Sequence, residues 1–158
     1  MTVTRAWLAE RGYTVVDGKA VPTASIAPPE LALLPTFPDP NGCWCIDGEW
    51  TRASDQPSDT DDREGKHQEQ IRQLFTSKGC RVLCLSQYRP SAIAKGVPDL
   101  YVFGEIRGEA FWWETKRPRG GIMSPDQIAF ALDCARTHTL YGCGPLSAAY
   151  QFAQAIGL

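Results

Sequence analysis

The stretch from Pro98 to Arg117, PDLYVFGEIRGEAFWWETKR, constrains the fold more than any other part of the chain. Two runs dense in aromatic and branched apolar residues, 98–103 and 110–117, are separated only by the turn GEIRGE. Such residues suit a pleated, half-buried surface, and a connection this short joins antiparallel neighbours. Two strands alone are marginal in water, so the flanking sequence must supply more strands or covering helices.

It supplies both. Residues 64–78 read as a helix ended by Gly79, and 80–87 (CRVLCLSQ) as a strand rich in Val and Leu. The loop YRPSAIAKG follows at 88–96. After the hairpin and PRGGIM comes Ser124-Pro125-Asp126-Gln127. This combines an N-cap serine, proline at the first helical position and a capping-box glutamine, and predicts a helix running to about 138. A strand at 139–143 and a helix from Ser147 to Ile156 complete the order αβββαβα. The fold class is α/β in the broad sense: a mixed sheet flanked by helices.

Residues 1–63 are less regular. Residues 4–11 predict a short helix ended by Gly12. TVVDGKAV (14–21) and CWCIDGEW (43–50) each place Asp-Gly between apolar flanks, a strong hairpin signal. Six prolines between 22 and 40 predict an extended loop. The polar, acidic run SDQPSDTDDR (54–63) reads as an exposed linker. The expectation is an irregular N-terminal extension, 1–63, whose hairpins pack beside a main domain at 64–158.

At 158 residues the chain is one ordinary domain in size, and its 43% hydrophobic and 22% charged content is that of a globular protein. No apolar run approaches the roughly 18 residues a bilayer span needs. The start, MTVTRAWLAERG, lacks the basic-then-apolar pattern of a secretory signal. The expected compartment is the cytoplasm, and the six cysteines (43, 45, 80, 84, 134, 143) are expected to be buried thiols. Net charge is −2, unevenly distributed. Residues 1–63 hold five Lys/Arg against ten Asp/Glu, a balance of −5, while 64–158 hold eleven against eight, a balance of +3. The second half suits a polyanionic partner.

Within the second strand, WETKR at 113–117 carries the chemistry. Side chains two apart on a strand share a face, so Glu114 and Lys116 point one way, Trp113 and Thr115 the other. A carboxylate that can hold a cation beside an ammonium that can polarise water suits phosphodiester hydrolysis. Asp99 follows Pro98 at the start of the neighbouring strand, and the hairpin brings it opposite the Glu114–Lys116 end. A third acid can come from the first helix. At 100° per residue Glu64 lies on the stripe of Gln68, Ile71, Phe75 and Lys78 that faces the sheet, with Glu69 on the opposite face. Glu64 is the preferred helix carboxylate and Glu69 the alternative. His67 and His138 show no partner pattern and read as structural or surface residues.

Pro98-Asp99, then Glu114-Thr115-Lys116, then a helix bearing Gln127, resembles the PD-(D/E)xK nuclease superfamily. More narrowly, KGVPDLYVF, FWWETKRPRGGIMSPDQ and E-x3-Q at 64–68 resemble the VRR-NUC family over residues 64–145. The resemblance implies a restriction-endonuclease-like αβββαβ core, dependence on Mg²⁺ or Mn²⁺, and cleavage of DNA. It implies Asp99 and Glu114 as metal ligands and Lys116 as the water-orienting group. Glu64 would be a supporting acid, the Thr115 carbonyl would complete coordination, and Gln127 would stand at the site edge near the phosphate. Stand-alone phage and bacterial members of this kind look like Holliday-junction resolvases that act as homodimers, so branched or junction DNA is the expected substrate and the host cytoplasm the expected setting. Residues 1–63 have no counterpart in the resemblance.

Arg89, Lys95, Arg117 and Arg119 lie in loops beside these motifs, where they can hold phosphates or simply be solvated. Trp112 and Trp113 read as packing residues. Two other readings stand beside the endonuclease: a DNA- or protein-binding module that keeps the fold without turnover, and a nuclease for restriction or phage DNA processing.

Overall fold

The structure is a computed structural model that describes residues 13–16, 19–22, 38–54, 63–85, 95–104, 110–119 and 121–158. Along the described chain the strands and helices are β1 (Tyr13–Val16), β2 (Lys19–Pro22), β3 (Cys43–Ile46), β4 (Glu49–Arg52), α1 (Glu64–Ser77), β5 (Arg81–Cys84), β6 (Leu100–Phe103), β7 (Ala110–Thr115), α2 (Pro125–Arg136), β8 (Tyr141–Gly144) and α3 (Leu146–Ala155). From residue 64 on, this is the αβββαβα order read from the sequence. The helix expected at 4–11 lies outside the described residues.

Six strands form one mixed sheet in the order β4-β3-β8-β7-β6-β5. Only β7 and β8 run parallel, with α2 between them in the chain, and every other pair is antiparallel. β1 and β2 pair antiparallel across a two-residue connection as a separate ribbon. The β3–β4 hairpin also forms at its Asp-Gly, where Asp47 (φ 53°) and Gly48 (φ 85°) both take the left-handed conformation that such a turn requires.

This second hairpin corrects one expectation. It does not pack beside the sheet but belongs to it, since β3 pairs with β8 through Cys43↔Cys143, Trp44↔Gly142 and Cys45↔Tyr141. β8 would otherwise expose a bare edge. Its small residues, Gly142, Cys143 and Gly144, are all buried and let a neighbouring strand and helix approach closely. Gly42 and Gly144 meet back to back, each against Ala148 of α3.

Helix ends follow the sequence. Gly79 (φ 82°) closes α1: its N–H donates to Thr76 O (3.0 Å) and that of Cys80 to Phe75 O (3.0 Å), satisfying carbonyls the helix leaves open. At the start of α2, Ser124 Oγ accepts from Gln127 N (3.2 Å) while Gln127 Oε1 accepts from Ser124 N (2.9 Å), the expected capping box.

Helices pack on both faces of the sheet. On one, α1 and α3 cover Leu100, Val102, Phe111 and Trp113 with Ile71, Phe75, Ala149 and Phe152. On the other, α2 sets Ile128, Ala131 and Cys134 against Cys43, Cys45, Tyr141 and Cys143. Each large apolar side chain so buried contributes about 1.5–3 kcal/mol. No described helix is long and apolar enough to cross a membrane.

Candidate active site

β7 separates its side chains as the alternation predicts. Trp113, fully buried, turns into the α1–α3 core. Glu114 and Lys116 meet on the α2 side, with Lys116 Nζ 2.7 Å from Glu114 Oε1. Both are almost inaccessible, at 2% and 5% exposure. A buried ion pair holds only when further hydrogen bonds complete it, and Gln127 provides them. Its Nε2 donates to Glu114 Oε1 at 2.5 Å, and its Oε1 accepts from Lys116 Nζ at 3.3 Å. The residue that caps α2 therefore also clamps the site.

Asp99 arrives from β6. Leu100 pairs with Trp113, so the next antiparallel step places Asp99 opposite Glu114, on the same face. Its Oδ2 accepts the backbone N–H of Thr115 at 3.0 Å. Pro98, buried just before it, has no N–H to give a ladder, and pairing resumes where Leu85 N donates to Asp99 O at 2.7 Å. On the other side Lys116 N donates to Gly144 O at 3.1 Å, which extends the β7–β8 pairing past Thr115. Asp99, Glu114, Lys116 and Gln127 thus converge where β6 begins, β7 ends and α2 begins.

Two glycines, Gly96 and Gly121, fix this geometry through close backbone contacts. Gly96 (φ 83°) lies so close to the backbone of Asp126 that a Cβ would collide with it, which pins the 95–99 loop against the start of α2. At Gly121 a Cβ would crowd Arg117 O and Lys116 Cβ, both 3.1 Å away. The signal for Gly96 was its place in KGVPD just before the aspartate, but its partner comes from a distant helix.

The charges strain one another. Burial, then the neighbouring Asp99, pushes the Glu114 carboxyl up from 4.5 to about 8, against the pull of Lys116. Burial also raises Asp99; the Thr115 N–H and Lys116 oppose this and Glu64 adds to it. Burial pulls Lys116 down, but Glu114, Glu64 and Asp99 outweigh it and hold the ammonium above its usual range. Glu64 itself is exposed on the first turn of α1. Its charge is felt at all three groups, yet among the described residues no three His, Cys, Asp or Glu side chains gather as a metal-holding cluster. Glu69 points away, bound to Arg72 through two bonds of 2.8 and 2.6 Å and to Gln73.

The donor set nonetheless fits a hard divalent cation. Glu114 Oε2 is buried and has no hydrogen-bond partner, a costly state for a carboxylate oxygen. It sits beside a second carboxylate that raises its pKa. Mg²⁺ is commonly bound by one or two carboxylates together with water and substrate phosphate. Asp99 and Glu114 are the residues that would hold it, with the buried Thr115 between Glu114 and Lys116 on the same strand.

Of the loop cations, Lys95, Arg117 and Arg119 are exposed, and Arg89 lies outside the described residues. His67 is buried on the inner face of α1, and His138 is exposed just past α2. The chain matches no family model, no curated protein and no solved structure among known proteins.

Proposed function

We propose that this protein is a divalent-metal-dependent DNA endonuclease of the PD-(D/E)xK kind, similar to VRR-NUC nucleases, with Asp99, Glu114 and Lys116 at its centre. The observation that carries this reading is the buried, unpartnered Glu114 Oε2 beside Asp99, within reach of an ammonium already anchored by Glu114 and Gln127. Bound Mg²⁺ or Mn²⁺ would polarise the scissile phosphate and make water a nucleophile near neutral pH.

The chain's own residues do the rest. Asp99 and Glu114 supply carboxylate oxygens fixed by a strand pairing and a helix cap. Lys116 Nζ holds positive charge at the point where the phosphate gains negative charge. Gln127 keeps Lys116 and Glu114 in register. Lys95, Arg117 and Arg119 contact phosphates and position the strand. Branched or junction DNA is the proposed substrate. A homodimer in the cytoplasm of a bacterial or phage-infected cell is the proposed form, because resolving a junction takes two symmetric cuts.

The test is cleavage of a labelled four-way junction, a flap and a linear duplex by wild type and Asp99→Ala, with Mg²⁺, Mn²⁺ or EDTA. Metal-dependent cutting that disappears in the variant is the expected result, and the preferred substrate names the branch. A folded wild type that cuts nothing with either metal would leave the second reading, a binding module without turnover. That reading draws on the lack of a three-ligand cluster among the described residues.

A further inference from the structure

The face of the sheet that carries Asp99 and Glu114 continues as a row of aromatic rings. Two residues along β6 from Asp99 stands Tyr101, and two residues back along β7 from Glu114 stands Trp112, a step of about 7 Å along a strand in each case. The two pair in register, with ring centroids 4.3 Å apart. Phe103 extends the row, its centroid 4.7 Å from Tyr101, and Arg81 lies over its ring at 5.9 Å. Phe130 of α2 forms a wall, 5.2 Å from Trp112 and edge-on to it. Among the described residues α2 packs over β3 and β8, where its buried residues meet Tyr141 and Cys143, and no helix covers β5 and β6 on this side. Tyr101 and Trp112 are half-buried and Phe103 is 38% exposed.

Trp112 and Phe130 pack against the α2-side core, but the row continues outward through Tyr101 and ends in an exposed phenylalanine under a guanidinium. We propose that Trp112, Tyr101 and Phe103 form a stacking shelf for the unpaired nucleobases of the strand held at Asp99 and Glu114. Every base offers a π-face whatever its sequence, and aromatic side chains bind single strands by that route. The spacing suits an extended strand that leaves the carboxylates and runs along the row, with Arg81 at the far end for a phosphate or a base. A paired duplex, its bases stacked on one another, has no free π-face to offer. The shelf therefore selects DNA with unpaired nucleotides next to the cut.

The inference rests on the nuclease reading only for which strand occupies the carboxylates, and its test needs no cleavage. Full-length protein in EDTA is titrated with fluorescein-labelled oligodeoxythymidylate and with a blunt duplex of similar length, and tryptophan emission is followed. Wild type is expected to bind the single strand more tightly, with tryptophan quenching. Tyr101→Ala and Phe103→Ala should weaken single-strand binding about fivefold or more and duplex binding less than about twofold. Phe103→Leu keeps an apolar side chain at an already exposed position, so it separates stacking from folding, and its single-strand binding should also weaken. Unchanged binding in Phe103→Leu, or equal weakening on both ligands, overturns the shelf. So does conversion of a dimer to a monomer in sedimentation without a change in single-strand affinity, since a second copy would then be the occupant. A wild type that cleaves DNA while these variants bind normally sinks the shelf alone. One that shows the shelf effect but never cleaves sinks the nuclease reading alone.

Discussion

Gln127 donates from Nε2 to Glu114 Oε1 at 2.5 Å while its Oε1 accepts from the backbone of Ser124 at 2.9 Å. One amide thus joins the start of a helix to the end of a strand, and the site's geometry depends on the helix cap. Gln127→Ala removes both functions. Losing the Gln127 half of the capping box, while Ser124 still caps the helix, should cost about 0.5–1.5 kcal/mol in urea unfolding. Catalysis should fall further than that loss explains, because Lys116 and Glu114 lose their shared clamp. Wild-type kcat/KM in a variant that is only less stable would reduce Gln127 to a helix cap.

Glu64 and Glu69 separate cleanly. Glu64 raises both Asp99 and Glu114 by its charge, so Glu64→Gln should lower both and move the acid limb of the pH–rate profile to lower pH. The folded state should change little, since Glu64 is exposed. Glu69 is held by Arg72 and Gln73 on the outer face of α1, and Glu69→Gln should leave the profile in place. Parallel profiles of the two variants check this, and a shift produced by Glu69→Gln would contradict the assignment.

Much of this was readable from the sequence because it is local. Period-two alternation put Glu114 and Lys116 on one face, the Ser-Pro-Asp-Gln run marked the start of α2, and Asp-Gly marked the turn of β3–β4. What the sequence hid is non-local. The pairing of Cys43 with Cys143 joins distant parts of the chain, and nothing in CWCI names its partner strand. The helical stripe put Glu64 on the inner face, but at the first position of α1 that face is already open to solvent. The resemblance put Gln127 at the site edge near the phosphate, but its contacts with Glu114 and Lys116 were hidden, because they join a helix cap to a separate strand.

Gly96 and Gly79 have nearly the same backbone, φ 83° and 82°, in different surroundings. A Cβ at Gly79 meets nothing within 4 Å, whereas at Gly96 it collides with the Asp126 backbone. Gly79→Ala should cost only left-handed strain, about 1–2 kcal/mol. Gly96→Ala should cost that and about 1–3 kcal/mol more for overpacking, and it should displace the loop carrying Asp99. Urea unfolding of both variants should rank them so, with activity lost only in Gly96→Ala. Equal costs would mean that the 95–99 loop yields freely.

None of the six cysteines is in a disulfide; five are buried and Cys84 is half-buried. Burial pushes the Cys45 thiol up to about 11 and that of Cys134 to about 12. The hydrogen bond with Cys43, then burial, raises Cys143 well beyond its usual range. Thiolates are the reactive form, so Ellman's reagent at pH 8 should titrate at most one thiol in the native protein and all six in urea. Cys84→Ser should abolish the native reaction. Fast reaction of several thiols in the folded state would show that the α2 face opens readily.

The raised Glu114 also sets how stability varies with pH. Folded, this carboxyl titrates near 8; unfolded, it returns toward 4.5. Between those values the folded state binds the extra proton, so stability falls as pH rises through the window. Asp99 shifts in the same direction and adds to the effect, while Lys116 titrates above the window. In EDTA, therefore, Tm should fall steadily from about pH 5 to pH 8.5, and Glu114→Gln should flatten the slope. Held at the proposed site, Mg²⁺ would compete with that proton for the same oxygens, so its stabilisation should be larger at pH 8.5 than at pH 6 in wild type and largely absent in Glu114→Gln. Thermal scans at a few pH values, with and without metal, are sufficient. A flat Tm profile in EDTA would mean that Lys116 and Gln127 keep Glu114 ionised without a cation. A metal effect that survives in Glu114→Gln would place the ion elsewhere.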